Sequence, residues 1–128
     1  MSMQAPQEFP RVSSQASEWR DVCAIDDVLP GTGVAALIDG EQIAIIRTRD
    51  SLFAALSNFD PFSNAFVIAR GIVGDRAGIP KIASPIYKQN FNLQTGECLD
   101  DPTVRLAVFP IRVSGGRIQV SVAAKAAE

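Results

Sequence analysis

The chain has 128 residues, 47% of them hydrophobic, and its 12 basic and 14 acidic residues give a net charge of −2. This length and composition predict one domain that buries a core without disulfides or a structural metal. The basic residues are scattered, which excludes nucleic acid as an expected partner, and no apolar run approaches the ~20 residues of a membrane-spanning helix.

The two ends of the chain differ in composition from its middle. Residues 1–17 are rich in Gln, Ser, Pro and Ala, and we expect a disordered N-terminal segment there. Residues 18–122 form the predicted domain, and residues 123–128 form a C-terminal tail. The polar N-terminus lacks the apolar stretch of a signal peptide, which favours a cytoplasmic location.

Short strands separated by turn signals, without a long helical period, predict an all-β antiparallel sandwich or barrel. In chain order the predicted elements are a strand over Trp19–Cys23, a capped helical turn over Asp26–Gly31, a hairpin of Gly33–Ile38 with Glu41–Arg47, strands over Leu52–Leu56 and Lys81–Ala83, a hairpin of Asn90–Leu93 with Glu97–Leu99, and a hairpin of Ala107–Val113 with Arg117–Val122.

The first hairpin is centred on Asp39-Gly40, a dipeptide that supplies the two positive φ angles of a type I′ turn. That turn places Val34 opposite Ile45, and apolar residues on both faces predict a hairpin covered on both sides. In the second hairpin Gly96 is suited to a left-handed turn position.

The last hairpin is centred on Gly115-Gly116, which predicts three apolar cross-strand pairs on one face and polar pairs on the other. The apolar pairs are Val113 with Ile118, Ile111 with Val120, and Phe109 with Val122.

Metal chemistry has few ligands to draw on, because the chain contains no histidine and only two cysteines. Cys23 and Cys98 lie far apart and show no zinc-ligand spacing, so we expect two buried free thiols. A disulfide between them is not expected in a reducing compartment.

Two segments nevertheless resemble the cluster-binding loops of Rieske iron–sulfur domains, whose pattern is Cys-x-His and later Cys-Pro-x-His with a Phe-x-x-x-Thr-Gly hairpin. They read LSNFDPFSNAF and SPIYKQNFNLQTGECLDDP. The surrounding Pro61, Pro85, Phe91, Thr95, Gly96 and Pro102 fit that frame. The four ligand positions, however, hold Asp60, Phe62, Ser84 and Tyr87.

These four vestigial ligand positions predict that no Rieske cluster forms, because such a centre needs two thiolates and two imidazoles. Phe62 has no ligand atom, and oxygen donors match a sulfide-bridged iron cluster poorly. No metal, cofactor-binding or catalytic residue is therefore predicted. The two loops can instead be joined by Phe62 packing on Tyr87, with Asp60 or Ser84 bonding to backbone groups, or the four residues can have no shared role.

Four sequence blocks in order extend this resemblance to most of the chain: Leu29–Gly33, Ser57–Ser63, Arg70–Arg76 and Ser84–Gln89. Together they resemble the small subunit of assimilatory NAD(P)H-dependent nitrite reductase, a Rieske-like protein without cluster ligands. The resemblance implies an accessory, non-catalytic subunit of an oxidoreductase. It also implies a large partner subunit carrying FAD, an iron–sulfur cluster and sirohaem, on which nitrite becomes ammonium.

The two-loop tip is the expected docking surface, because aromatic residues there lie on loops that otherwise face water. A glycine-rich stretch over residues 71–78 is interpreted as a flexible loop that contributes to docking. The residues expected at the partner interface are Phe59, Phe62, Phe66, Asp75, Arg76, Tyr87 and Lys88.

Three alternatives from other classes remain at this point. The first is a free-standing Rieske-fold binding module without redox activity. The second is an electron-transfer ferredoxin, which the absence of histidine opposes. The third is an independent enzyme using Tyr87 and Lys88, for which no cofactor motif is present.

Overall fold

The computed structural model describes residues 18–122, and the predictions for residues 1–17 and 123–128 lie outside the described part of the chain. All strand pairings are antiparallel, which confirms the predicted all-β class. The strands are β1 (Arg20–Ala24), β2 (Thr32–Ile38), β3 (Glu41–Arg47), β4 (Phe53–Ser57), β5 (Phe59–Asp60), β6 (Ala65–Phe66), β7 (Ile72–Arg76), β8 (Ile79–Ala83), β9 (Asn90–Asn92), β10 (Val108–Phe109), β11 (Ile111–Ser114) and β12 (Arg117–Val120).

Within residues 18–122 the strands form four antiparallel sheets, in the orders β10-β4-β3-β2, β1-β12-β11, β7-β8-β9 and β5-β6. The same described residues include two 3-10 turns, Ile25–Asp27 between β1 and β2 and Ile68–Arg70 between β6 and β7. Among residues 18–122, no helix has the length and hydropathy that crossing a membrane requires.

The sheet β10-β4-β3-β2 lies between two hydrophobic cores, and β3 contributes to both. Ile43 and Ile45 pack in one core with Ile118 on β12. Ile46 packs in the other with Phe91 on β9. Burying one large aliphatic side chain contributes about 1.5–3 kcal/mol, so the continuous apolar run of β3 is a main source of stability.

The first hairpin forms in the predicted register, with Val34 opposite Ile45. Asp39 and Gly40 have φ angles of 50° and 83°, as a type I′ turn requires. The expectation that both strands are covered on both faces holds for β3 but is wrong for β2. That strand is the sheet edge, and its Leu37 side chain is 73% exposed.

The last hairpin matches the predicted register near its turn and departs from it beyond Pro110. Ile111 lies opposite Val120 as predicted, whereas Phe109 lies opposite Ala55 of β4 rather than Val122. The physical reason is that proline has no N–H to donate, which interrupts the ribbon. The preceding two residues, as β10, therefore join the neighbouring sheet.

Residues 71–78 are the clearest correction, because they form β7 and the turn of a hairpin rather than a flexible loop. Ala77 and Gly78 have φ angles of 53° and 87°, the geometry of a two-residue hairpin turn. Gly71 is required just before the strand, since a Cβ there would collide with the carbonyl oxygen of Ala83. Glycines that suggested flexibility thus permit a turn and a close backbone approach.

Smaller features follow the prediction with shifts of a residue or two. The helical turn lies over Ile25–Asp27, slightly earlier than Asp26–Gly31. Gly96 has a φ angle of 81°, the left-handed geometry expected of it. Both thiols are free, but only Cys98 is buried and Cys23 is half-buried. Burial raises the pKa of each thiol, which disfavours the reactive thiolate form.

Candidate functional site

The first tip loop, residues 57–67, is held against the core by the side chain of Asn58. The buried side-chain oxygen of Asn58 accepts a hydrogen bond from the Ala69 backbone N–H at 2.7 Å. The backbone carbonyl of Asn58 accepts a second one from the Ile68 N–H at 3.1 Å. The small hairpin β5–β6 follows, with Phe59 opposite Phe66. Because β4 leads directly into this loop, the central sheet sets its position.

The second tip loop, residues 84–90, is closed by its own backbone. The Ser84 N–H donates to the Gln89 carbonyl at 2.9 Å, and the Lys88 N–H donates to the Ser84 carbonyl at 3.1 Å. Lys88 adopts a left-handed backbone conformation with a φ angle of 64°. Strands β8 and β9 flank the loop and attach it to the core that contains Ile46 and Phe91.

The two tip loops meet at the carboxylate of Asp60, which is fully buried together with Ser84. The Ser84 hydroxyl donates to Asp60 Oδ2 at 2.5 Å, across 24 residues of sequence. The Phe62 N–H and the Ser63 hydroxyl also donate to this carboxylate, each at 2.9 Å. The contact lies between the two positions that the Rieske pattern assigns to cysteine.

The two positions that the pattern assigns to histidine lie in different environments. Phe62 is half-buried and packs on Phe91, with ring centroids 6.2 Å apart. Tyr87 is 62% exposed. The ring contact of Phe62 is thus with the core rather than with Tyr87, while the expected bonding of Asp60 and Ser84 to backbone groups is present.

The residues at these four positions do not fit an iron–sulfur cluster. Asp60 and Ser84 offer oxygen atoms that are already engaged with each other, and neither Phe62 nor Tyr87 offers an imidazole. Within the described residues, no three His, Cys, Asp or Glu side chains are grouped as a metal site.

We expect a protein purified with iron and sulfide supplied to be colourless and to lack a Rieske-type magnetic resonance signal. The reason is that the four ligand positions offer neither the thiolates nor the imidazoles of a Rieske centre. A chelator should also leave the thermal midpoint unchanged, since the tip is joined by hydrogen bonds. Metal analysis, absorption and thermal unfolding measure this. Stoichiometric iron with acid-labile sulfide, or a chelator-induced fall of the midpoint, would contradict it.

The outer surface around the two tip loops carries several exposed apolar side chains. Phe66 is 52% exposed and contacts Phe59 with ring centroids 5.1 Å apart. Ile72 and Ile86 are 60% and 44% exposed. Neither isoleucine was among the interface residues predicted from the sequence, although the Pro-Ile-Tyr run of the second loop was a signal for Ile86. Ile72 was missed because its strand was interpreted as a loop.

Asp75 and Arg76 were predicted at the same interface, but the structure places their backbone away from the two tip loops. They lie near the turn end of β7–β8, three and four residues from Ile72, or about 10 and 13 Å at the usual strand rise. Asp75 accepts the Gly78 N–H at 3.1 Å, and Arg76 pairs with Asp100 at 3.2 Å. The backbone N–H of Asn90 donates a hydrogen bond to the Asp100 carboxylate. This bond, together with Arg76, lowers the pKa of the Asp100 carboxyl. These side chains stabilise turns.

Comparison with known proteins gives a consistent result. The family model of the Rieske-like [2Fe-2S] domain matches residues 18–121. The nitrite reductase (NADH) small subunit of Salmonella typhimurium is 44% identical over 81% of this chain and 97% of its own. The solution structure of the nitrite reductase NAD(P)H small subunit from Erwinia carotovora is 42% identical, covers 88% and 87% of the two chains, and superposes with a TM-score of 0.73.

One further relative has a different size. The nitrite reductase NAD(P)H large subunit of Klebsiella oxytoca is 34% identical over 102 residues, which are 80% of this chain but 11% of that protein. A domain similar to this chain is therefore part of a much longer polypeptide in that organism.

Proposed function

This chain belongs to the Rieske-like domain family and, within it, to the nitrite reductase small subunits, and we propose from this that it serves as the accessory subunit of an NAD(P)H-dependent nitrite reductase. It acts in the cytoplasm in nitrate assimilation, where the complex reduces nitrite to ammonium. FAD, an iron–sulfur cluster and sirohaem belong to the large subunit, and this chain is not itself catalytic. Its tip docks on the large subunit.

The observation that carries the docking proposal is the construction of the tip. The Asp60–Ser84 hydrogen bond joins two loops that in a Rieske centre are joined by metal, so the shape of the tip is kept without redox chemistry. Around that junction the protein exposes Phe66, Ile86 and Tyr87 to water. Exposed aromatic and large apolar residues are typical of the cores of protein interfaces.

The Klebsiella oxytoca large subunit supports the choice of partner. A domain that occurs within a larger chain in one organism and as a separate protein in another commonly works beside the same neighbour in both. This favours an accessory subunit, which works with a constant partner protein, over a free-standing binding module without redox activity, which does not require one.

The test is to replace Phe66 or Tyr87 by aspartate and measure binding to the large subunit. Both side chains are more than half exposed, so the domain should remain folded. In an interface core, loss of a hot-spot aromatic and burial of an unpaired charge cost at least about 2–4 kcal/mol, or roughly 30- to 1,000-fold in Kd. Phe62→Asp is less informative, because that ring packs on the core.

Leu37→Asp provides the matched control, since Leu37 is an exposed large apolar residue on the edge strand β2. We expect it to bind as wild type does. Nitrite-dependent NAD(P)H oxidation by the reconstituted pair should fall with binding in the tip variants. Normal binding by the tip variants would contradict docking through the tip. Full activity of the large subunit without this chain would contradict the accessory role.

A further inference from the structure

The exposed charges of the tip differ in sign from those of the protein as a whole. In residues 57–72 and 84–90 the charged residues are Asp60, Arg70 and Lys88. Asp60 is fully buried, whereas Arg70 and Lys88 are exposed. Asp100, which borders the second tip loop at Asn90, is paired with Arg76. The exposed charges within the two ranges, Arg70 and Lys88, are therefore positive, although the chain has a net charge of −2.

Backbone contacts of the neighbouring residues place Arg70 beside the second tip loop. Ile72 is opposite Ala83 in the β7–β8 pairing, one residue before Ser84. A Cβ on Gly71 would collide with the carbonyl oxygen of Ala83, so the two segments touch there. This contact brings the exposed segment from Arg70 to Ile72 next to the loop. The tip patch is defined here as Phe66, Arg70, Ile72, Ile86, Tyr87 and Lys88.

The backbone at Lys88 does not favour a lysine. Its left-handed conformation, at a φ angle of 64°, suits glycine or asparagine better. Its ammonium donates to the Pro85 carbonyl at 3.2 Å, which keeps the charge close to the loop. The left-handed conformation closes the loop, and the lysine at this position places a positive charge at the tip.

We propose that the tip patch docks on a surface of the large subunit that is apolar at its centre and carries carboxylates around it. The inference rests on the proposed function and names the chemistry of the partner surface. An acidic rim complements Arg70 and Lys88, while apolar groups cover the exposed large side chains. A second copy of this chain is a poorer occupant, because a two-fold contact sets the same patch, with its two cations, against itself.

The experiment measures binding of full-length variants to the large subunit over a range of salt concentrations. Lys88→Asn removes one charge and fits the left-handed backbone, while Lys88→Glu and Arg70→Glu reverse the charges. We expect each reversal to weaken binding about threefold to tenfold at low salt, the double reversal more, and the differences to shrink as salt rises. Lys88→Asn should weaken binding while its thermal midpoint stays equal or rises.

Arg49→Glu is the matched control. Arg49 is exposed in the turn that precedes β4, at the opposite end of that strand from the first tip loop. Its reversal makes the same change in net charge, so an effect of net charge alone would appear equally in this variant. We expect it to bind nearly as wild type does.

The outcomes separate the two proposals. If wild type does not bind the large subunit at all, the proposed function fails and this inference fails with it. If wild type binds and the reversals have no effect or strengthen binding, the acidic rim is wrong while the accessory role stands. Self-association of wild type that Phe66→Asp abolishes, measured by sedimentation, would make a second copy the occupant and overturn the inference.

Discussion

Asp60→Ala should destabilise the domain by about 3–5 kcal/mol, the largest effect that we expect from a single substitution at the tip. Removing the carboxylate leaves its three donors, the Phe62 N–H and the hydroxyls of Ser63 and Ser84, without their acceptor in a buried site. Unsatisfied buried donors cost about 1–3 kcal/mol each, partly relieved when the hydroxyls rotate. Chemical and thermal unfolding measure the change.

Two milder variants show whether the effect comes from the carboxylate or from lost volume. Ser84→Ala removes one donor and leaves two, so we expect a loss of about 1–3 kcal/mol. Asp60→Asn keeps an acceptor for the Phe62 N–H and should lie between wild type and Asp60→Ala. Equal stability of Asp60→Ala and wild type would mean that the junction does not hold the loops together.

The second large effect is a gain of metal binding. Asp60→Cys, Phe62→His, Ser84→Cys and Tyr87→His, made together, should let the protein bind a 2Fe–2S cluster with a reduction potential in the Rieske range of roughly −150 to +300 mV. The Asp60 and Ser84 side chains already face each other across the two loops, as two thiolates on one iron must. Iron and sulfide analysis, magnetic resonance and voltammetry measure the outcome.

The restoration has an identifiable obstacle and a matched control. Phe62 packs on Phe91, so an imidazole at this position must turn away from the core to reach iron. Cluster binding then has to offset the lost ring contact. The triple variant that keeps Tyr87 lacks one imidazole and should bind iron poorly. A folded quadruple variant without iron would mean that the four positions do not form a ligand frame.

Two features of the sequence allowed reliable predictions, namely the residues of the hairpin turns and the absence of histidine. Asp39-Gly40 sets the register of the first hairpin because a type I′ turn depends on two adjacent residues and leaves little freedom to the strands. The Gly115-Gly116 turn likewise predicts the register that places Ile111 opposite Val120, and the structure confirms it. The absence of histidine bears directly on cluster chemistry, since no arrangement in space supplies a missing imidazole.

Contacts between distant segments were decided only by the tertiary structure. Asp60 and Ser84 are 24 residues apart, and nothing local in either loop shows that their side chains are buried against each other. The path of β10 into the central sheet depends on a free edge at Ala55. The tip surface also depends on packing, because β7–β8 pairing brings Ile72 to the second loop and places the backbone of Asp75 and Arg76 near the far end of the hairpin. Side-chain chemistry is local to a residue, whereas burial and proximity depend on the whole fold.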